Sequence, residues 1–216
     1  QGYVCFVIEY RLATEYPVPD AKPGEGSLLP LDVVIPPSGL ARTNYARRGM
    51  GLPELGEEET IVLWNAVMAG AEDTAKAVDF VVENANAYQV DPDKIAMGGH
   101  SAGGGNVLNA TFGLKAPVAA IFPLSPPGLI YDTEKVITGD TLPATLLVIS
   151  QNDVDVTLEF APQTISELRA AGAESQLAWV PGFSHFYPTG AVTLGNVGTR
   201  RSLGERVTKF LYEHLK

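Results

Sequence analysis

Apolar residues in this chain recur with two periods, and the switch between them predicts its elements. Residues 3–9, YVCFVIE, are β-branched and aromatic and predict a buried strand. From Glu57 the period lengthens. Ile61, Trp64, Met68, Ala71, Ala75, Val78, Val82 and Ala85 recur every three to four residues, which marks one apolar face of a helix running to about Tyr88. Glu57, Glu58 and Glu59 suit its positive amino end, and Gly70 is a point where it can bend or split. Lys94–Gly98 then reads as a short strand, and residues 102–113 as a helix. Residues 117–123 and 144–150 read as further strands. Leu158, Ala161, Ile165 and Leu168 mark a helix stopped at Gly172; residues 175–180 are a strand; Leu203, Val207, Phe210 and Leu211 mark a last helix. Strands alternating with helices at this spacing predict an α/β fold, a mostly parallel sheet covered on both faces. Residues 17–56 interrupt the alternation. Their prolines and glycines, as in KPGEG, IPPSG and RRGMGLPELG, read as a long loop with room for a short turn of helix. No repeat and no second domain is visible, so residues 1–216 read as a single domain.

Composition narrows the function classes. With 45% hydrophobic and 19% charged residues the chain reads as globular and soluble. Its formal charge of −10 argues against nucleic acid as a partner, which calls for a basic face. Cys5 is the single cysteine, so no intrachain disulfide forms and cysteine usage leaves cytoplasmic and secreted locations equally open. No apolar run reaches 18 residues, so no membrane span is expected, and no charged-then-apolar leader precedes the first strand.

The candidate chemistry gathers around MGGHSAGGGN, residues 97–106, where Gly99, Ser101 and Gly103 fit Gly-x-Ser-x-Gly. The pattern alone is weak; its context between a strand and a helix is what carries weight. A serine there sits on a sharp turn. Gly99 and Gly103 keep side chains away where strand and helix nearly touch, and the following helix aims its free N–H groups at the same spot. The Ala102 N–H is the expected oxyanion donor. The competing reading is a phosphate-binding glycine loop, but the glycines fit that spacing loosely and no acidic residue closes a strand at the required distance.

A serine nucleophile needs a base, and three histidines are available. His100 adjoins Ser101 and its side chain is expected to leave the turn in another direction. His214 lies near the end of the last helix and reads as a solvated surface residue. His185, in VPGFSHFYP, follows the last strand at the carboxyl edge of the sheet, so by elimination it is the candidate base. The acid that would orient it comes from VISQNDVDV. Asp153 lies nearer the strand end and is preferred; Asp155 reads as an exposed loop charge or a helix cap.

The order Ser, Asp, His is that of α/β-hydrolases. GHSAGG after VDPDKIAMGG, preceded by EDTAKAVDFVVENA, resembles the hormone-sensitive-lipase-like and related carboxylesterase families, and EYRLATE resembles their YRLAPE segment. The resemblance spans nearly the whole chain. It implies a serine carboxylesterase, a carboxylic ester hydrolase in which Ser101, Asp153 and His185 are nucleophile, acid and base. It further implies a small-molecule ester as substrate, an acyl-enzyme intermediate and no cofactor. No metal is expected either, since metal-ligand spacings are absent. Two departures stand out. The families' upstream His-Gly-Gly oxyanion motif has no counterpart, so the chain reads as the carboxyl-terminal two-thirds of such an enzyme, truncated at its amino end, with the 3–9 strand poorly paired. The 17–56 loop is longer than usual and is expected near the active-site edge. Arg42, Arg47 and Arg48 cluster in it, either to recognise a polar substrate or, the preferred reading, as solvated charges. The link from Leu124 to Pro143 is too short for a large inserted cap, which suits short-chain or bulky esters. An α/β-hydrolase-fold peptidase and a non-catalytic ligand-binding relative are the alternatives. The oligomeric state is not legible.

Overall fold

The computed structural model describes residues 2–49, 51–139, 141–195 and 198–216, apart from the side chains of Ser38, Arg42, Thr43 and Ala46. Its frame is a six-stranded sheet in sequential order: β1 (Ala96–His100), β2 (Ala120–Leu124), β3 (Ala144–Asn152), β4 (Ser175–Ser184), β5 (Val192–Gly195) and β6 (Arg200–Ser202). The first four strands run parallel, and β5 and β6 add antiparallel. The helices are α1 (Leu31–Val34), α2 (Pro37–Gly49), α3 (Glu57–Glu83), α4 (Ala85–Tyr88), α5 (Ala102–Leu108), α6 (Thr133–Val136), α7 (Asp155–Ala170) and α8 (Leu203–His214). A π-turn, Asn109–Gly113, extends α5.

Strand β3 shows why the sheet is covered twice. Every residue from Ala144 to Ser150 is buried, because alternate side chains enter two different cores. Leu147 and Ile149 join Trp64 and Met68 of α3, Leu108 of α5 and Ile165 and Leu168 of α7. Leu146 and Val148 join Val180 and Leu203 and Phe210 of α8. Gly70 does not bend α3, which runs through it unbroken. A Cβ there would stand 2.8 Å from the Asn106 side chain, so this glycine lets α3 close on α5.

The structure departs from the pattern reading in four places. Residues 3–9 form no strand and are exposed, Val7 to 93%. β-Propensity becomes a strand only when a neighbour completes the ladder, and β1 ends the sheet with no described strand on its outer side. The segment is held instead by Phe6 edge-on to Tyr88, ring centroids 5.0 Å apart, and by Arg11, which bridges Glu72 and Asp73 of α3. The first paired strand is Ala96–His100 rather than Lys94–Gly98. Residues 17–56 are not a plain loop, since they contain α1 and the 13-residue α2. Pro37 sits in the first turn of α2, where its missing N–H removes no helix bond. Finally, β5 and β6 pair as a hairpin that short, mixed-polarity sequence did not announce.

The described hydrogen bonds and ion pairs of the 17–56 segment go to Arg11, to α3, to the 130–132 link and within the segment itself. None goes to Ser101, Asp153 or His185. Arg47 bonds the Pro53 carbonyl and Arg48 pairs with Glu54; the Arg42 side chain lies outside the described residues.

Candidate active site

Strand register assembles the site. His100 pairs with Leu124, and Asn152 pairs with Ser184 past a register shift in which the extra residues belong to β4. The residue just past each strand end therefore lies beside its neighbour: Ser101 after β1, Ser125 after β2, Asp153 after β3 and His185 after β4. Backbone bonds lock the first two in place, Ser101 N–H to the Leu124 carbonyl at 2.8 Å and Ser125 N–H to the Val148 carbonyl at 2.7 Å. The four stand in a row along the carboxyl edge of the parallel strands, where the helices of such sheets begin.

Ser101 has φ 55° and ψ −120°, a backbone state that a residue with a Cβ adopts only under constraint. The constraint is the close approach of β1 and α5. A Cβ on Gly99 would stand 2.5 Å from the Gly103 carbonyl carbon and oxygen, so only glycine fits. Gly103 itself is under no such demand, since a Cβ there meets nothing within 4 Å; Gly104 is the tighter neighbour, 3.0 Å from the Gly99 carbonyl oxygen. Ala102 opens α5, so its N–H is among those a helix leaves without an intrahelical partner.

The structure brings Ser101, Asp153 and His185 together. The His185 Nε2 lies 2.8 Å from Ser101 Oγ, and its Nδ1 lies 2.6 Å from Asp153 Oδ1. A carboxylate only accepts, so Nδ1 carries the proton, and Nε2 is left as acceptor for the Ser101 hydroxyl. That is the tautomer a general base requires. Asp155 is not at the imidazole; it opens α7.

Asp153 is buried and held from several sides. Its Oδ1 accepts from His185 and, at 2.9 Å, from the Val154 N–H. Its Oδ2 accepts from the Ser150 N–H at 3.0 Å, the Ser150 hydroxyl at 3.1 Å and the Ser125 hydroxyl. Burial pushes its pKa up, but the hydrogen bonds, those of Ser125 and His185 foremost, outweigh that and hold it below the usual carboxylate value. The acid thus stays ionised beside the histidine. Tyr187 closes the far side, its hydroxyl 2.9 Å from Ser125 Oγ, with burial as the main cause pushing its pKa up to about 12.

Three nearby residues were not legible as site residues. Ser125 falls in LSPP, with only its place after a strand as a signal. Tyr187 reads as one more aromatic in SHFYP. His100 adjoins the nucleophile without reading as part of the site, yet its Nε2–H donates to the His185 carbonyl at 2.8 Å and its ring rests 4.9 Å from that of His185. His214, expected in solvent, is largely covered, with Phe210 4.6 Å away and Glu174 3.6 Å from Nε2. Among the described residues no group of three or more His, Cys, Asp or Glu could hold a metal ion, and no helix is long and apolar enough to cross a membrane.

A family model described as BD-FAE matches residues 63–120, from α3 through β1, Ser101 and α5 to the first residue of β2. No curated protein sequence matches the chain. Among solved structures it resembles esterase PE8 at a TM-score of 0.51 and 22% identity, over 69% of this chain and 64% of that one. It also resembles Thermogutta terrifontis esterase 2 phosphoramylated by tabun (TM-score 0.53, 17% identity, 68% and 64% of the two chains). A truncated carbohydrate esterase from gut microbiota is a third neighbour (TM-score 0.52, 18% identity, 68% of each chain). The chain thus spans less than two-thirds of the length of the first two, 64% of each. At these identities the likeness is one of fold, and the chain has the α/β-hydrolase fold.

Proposed function

We propose that this protein is a serine carboxylesterase in which Ser101 is the nucleophile, His185 the general base and Asp153 the acid that orients it. The observation that carries the reading is the unbroken proton path from Ser101 Oγ to His185 Nε2 at 2.8 Å and from Nδ1 to Asp153 Oδ1 at 2.6 Å. The esterase neighbours of the same fold agree with it.

In this mechanism Ser101 Oγ attacks the ester carbonyl carbon while its proton passes to His185 Nε2. The imidazolium that forms is stabilised by the ionised Asp153. The carbonyl oxygen takes up the negative charge, and the Ala102 N–H at the amino end of α5 faces that charge as it develops. His185 then gives its proton to the departing alkoxide, the alcohol leaves and an acyl-enzyme remains on Ser101. Water, deprotonated by His185, attacks the acyl carbon and releases the carboxylic acid and free Ser101. The test is turnover on p-nitrophenyl acetate and butyrate beside a matched p-nitroanilide. Ester cleavage that exceeds anilide cleavage and is lost in Ser101→Ala supports the carboxylesterase. Equal or faster anilide cleavage points to a peptidase, and no turnover on either to a ligand-binding relative.

A further inference from the structure

Resting on the triad reading, we propose that Ser125 and Tyr187 form a hydroxyl relay that holds the Asp153 carboxylate in the orientation His185 requires, which makes both of them positioning residues of the hydrolase.

The first argument is the backbone of Ser125. Its φ is +45°, in the left-handed region that favours glycine, and its relative exposure is 0%. A glycine would adopt this turn without strain. A hydroxymethyl group in a strained, wholly buried position needs a use, and its contacts supply one. Among the described residues, the Ser125 hydroxyl bonds Asp153 Oδ2 and the Tyr187 hydroxyl.

The second argument is the direction of the bonds. Ionised Asp153 can only accept, so the Ser125 hydroxyl spends its single proton on Oδ2. The bond to Tyr187, 2.9 Å, must then run from the phenol to Ser125 Oγ. Burial and the nearby Asp153 charge, which together outweigh the Ser125 hydrogen bond, raise the Tyr187 pKa to about 12, so the phenol keeps the proton it donates.

The third argument is topological. Tyr187 lies two residues after His185, so the path His185–Asp153–Ser125–Tyr187 returns to His185 through the backbone. In this closed ring the imidazole and the carboxylate cannot turn independently. The His100 Nε2–H to His185 carbonyl bond, 2.8 Å, pins the same loop to β1 from the other side. Ser150 also donates twice to Oδ2, but it comes from β3, the strand that carries Asp153 itself. Beside His185 itself, Ser125 is the side chain among the described residues that ties the acid to a different strand, and Tyr187 ties Ser125 in turn to the histidine loop.

The experiment measures kcat and KM on p-nitrophenyl acetate for the full-length protein and for Ser125→Gly, Tyr187→Phe, their double variant and Ser101→Ala, with a thermal melt of each. Ser125→Gly removes the hydroxyl but relieves the backbone strain, which offsets part of the lost bond to the carboxylate, so it should still fold and melt cooperatively. The relay predicts that its kcat falls about 10-fold or more with KM within about twofold, because only the reacting geometry is disturbed. Tyr187→Phe should lose several-fold in kcat with the same split. The double variant should be little worse than Ser125→Gly, since both remove one chain of bonds. A kcat within about twofold of the parent in Ser125→Gly overturns the proposal. If Ser125→Gly does not fold, Tyr187→Phe decides on the same criterion. Activity surviving in Ser101→Ala would instead overturn the triad reading. A dead Ser101→Ala beside fully active relay variants overturns the relay alone.

Discussion

Replacing Asp153 by asparagine leaves the side chain almost the same size and reverses half of its hydrogen-bonding character. The carboxylate accepts from five donors: His185 Nδ1–H and Val154 N–H at Oδ1, and Ser125 Oγ–H, Ser150 N–H and Ser150 Oγ–H at Oδ2. An amide has one acceptor oxygen to give. Set at Oδ2 it keeps three donors satisfied; set at Oδ1 it keeps two, so it settles at Oδ2. Its NH2 group then points at His185 Nδ1, which must become an acceptor. The proton moves to Nε2, the atom 2.8 Å from Ser101 Oγ, and the base is blocked by its own tautomer. Loss of the correct tautomer in a triad of this kind costs roughly 10⁴-fold in kcat, or about 5.5 kcal/mol of transition-state stabilisation. The fold should survive, with about 1.5–3 kcal/mol lost from the Val154 and His185 contacts to a charged acceptor. The assay is steady-state hydrolysis of p-nitrophenyl acetate beside a urea melt. A folded Asp153→Asn variant within about tenfold of parental kcat would refute both the tautomer argument and the role of Asp153.

Other expectations follow from single observations. Gly99→Ala should destabilise by about 2 kcal/mol or more, because its Cβ meets the Gly103 backbone at 2.5 Å; Gly103→Ala, with open space and a helical position, should be neutral or gain up to about 1 kcal/mol, both read from urea midpoints. Asp153 is held below its ordinary value of 3.8, so its contribution to stability is full above that pH and is lost as pH falls through the lower folded value. Urea midpoints taken from about pH 5 to about pH 2 should therefore fall less in Asp153→Asn than in the parent, and an equal fall would contradict the assignment. Val7→Asp, at a position 93% exposed, should change stability by no more than about 0.5 kcal/mol; a loss of several kcal/mol would mean that residues 3–9 are buried after all.

The parts legible in the sequence are those whose signal is local. Ser101, Asp153 and His185 each follow a segment that reads as a strand, and strand ends in a parallel sheet converge on one edge, so order and position are enough to propose them. Ser125 follows a strand just as they do, but a serine between Leu124 and Pro126 carries no chemical signal until a neighbour's carboxylate is seen. Tyr187 and His100 are recognisable only through contacts with residues far away in the chain. Residues 3–9 misled for the opposite reason: their propensity is strong, yet a strand is defined by its neighbour. The segment from Pro37 to Gly49 misled because proline at a helix start and a polar surface look like a loop when no apolar stripe marks the period. Of the two glycines that flank Ser101 in the pattern, Gly99 is required by contact and Gly103 is not.

The central claim is a covalent one, that Ser101 carries the acyl group. The most direct measurement is to mix the protein with p-nitrophenyl acetate, quench in acid within the pre-steady-state burst, and locate the added mass by peptide mapping. The account predicts one acetyl group on Ser101, absent from Ser101→Ala and slow to appear in His185→Ala. An acetyl group on another residue, or rapid ester hydrolysis with Ser101 unmodified and replaceable by alanine, would contradict it.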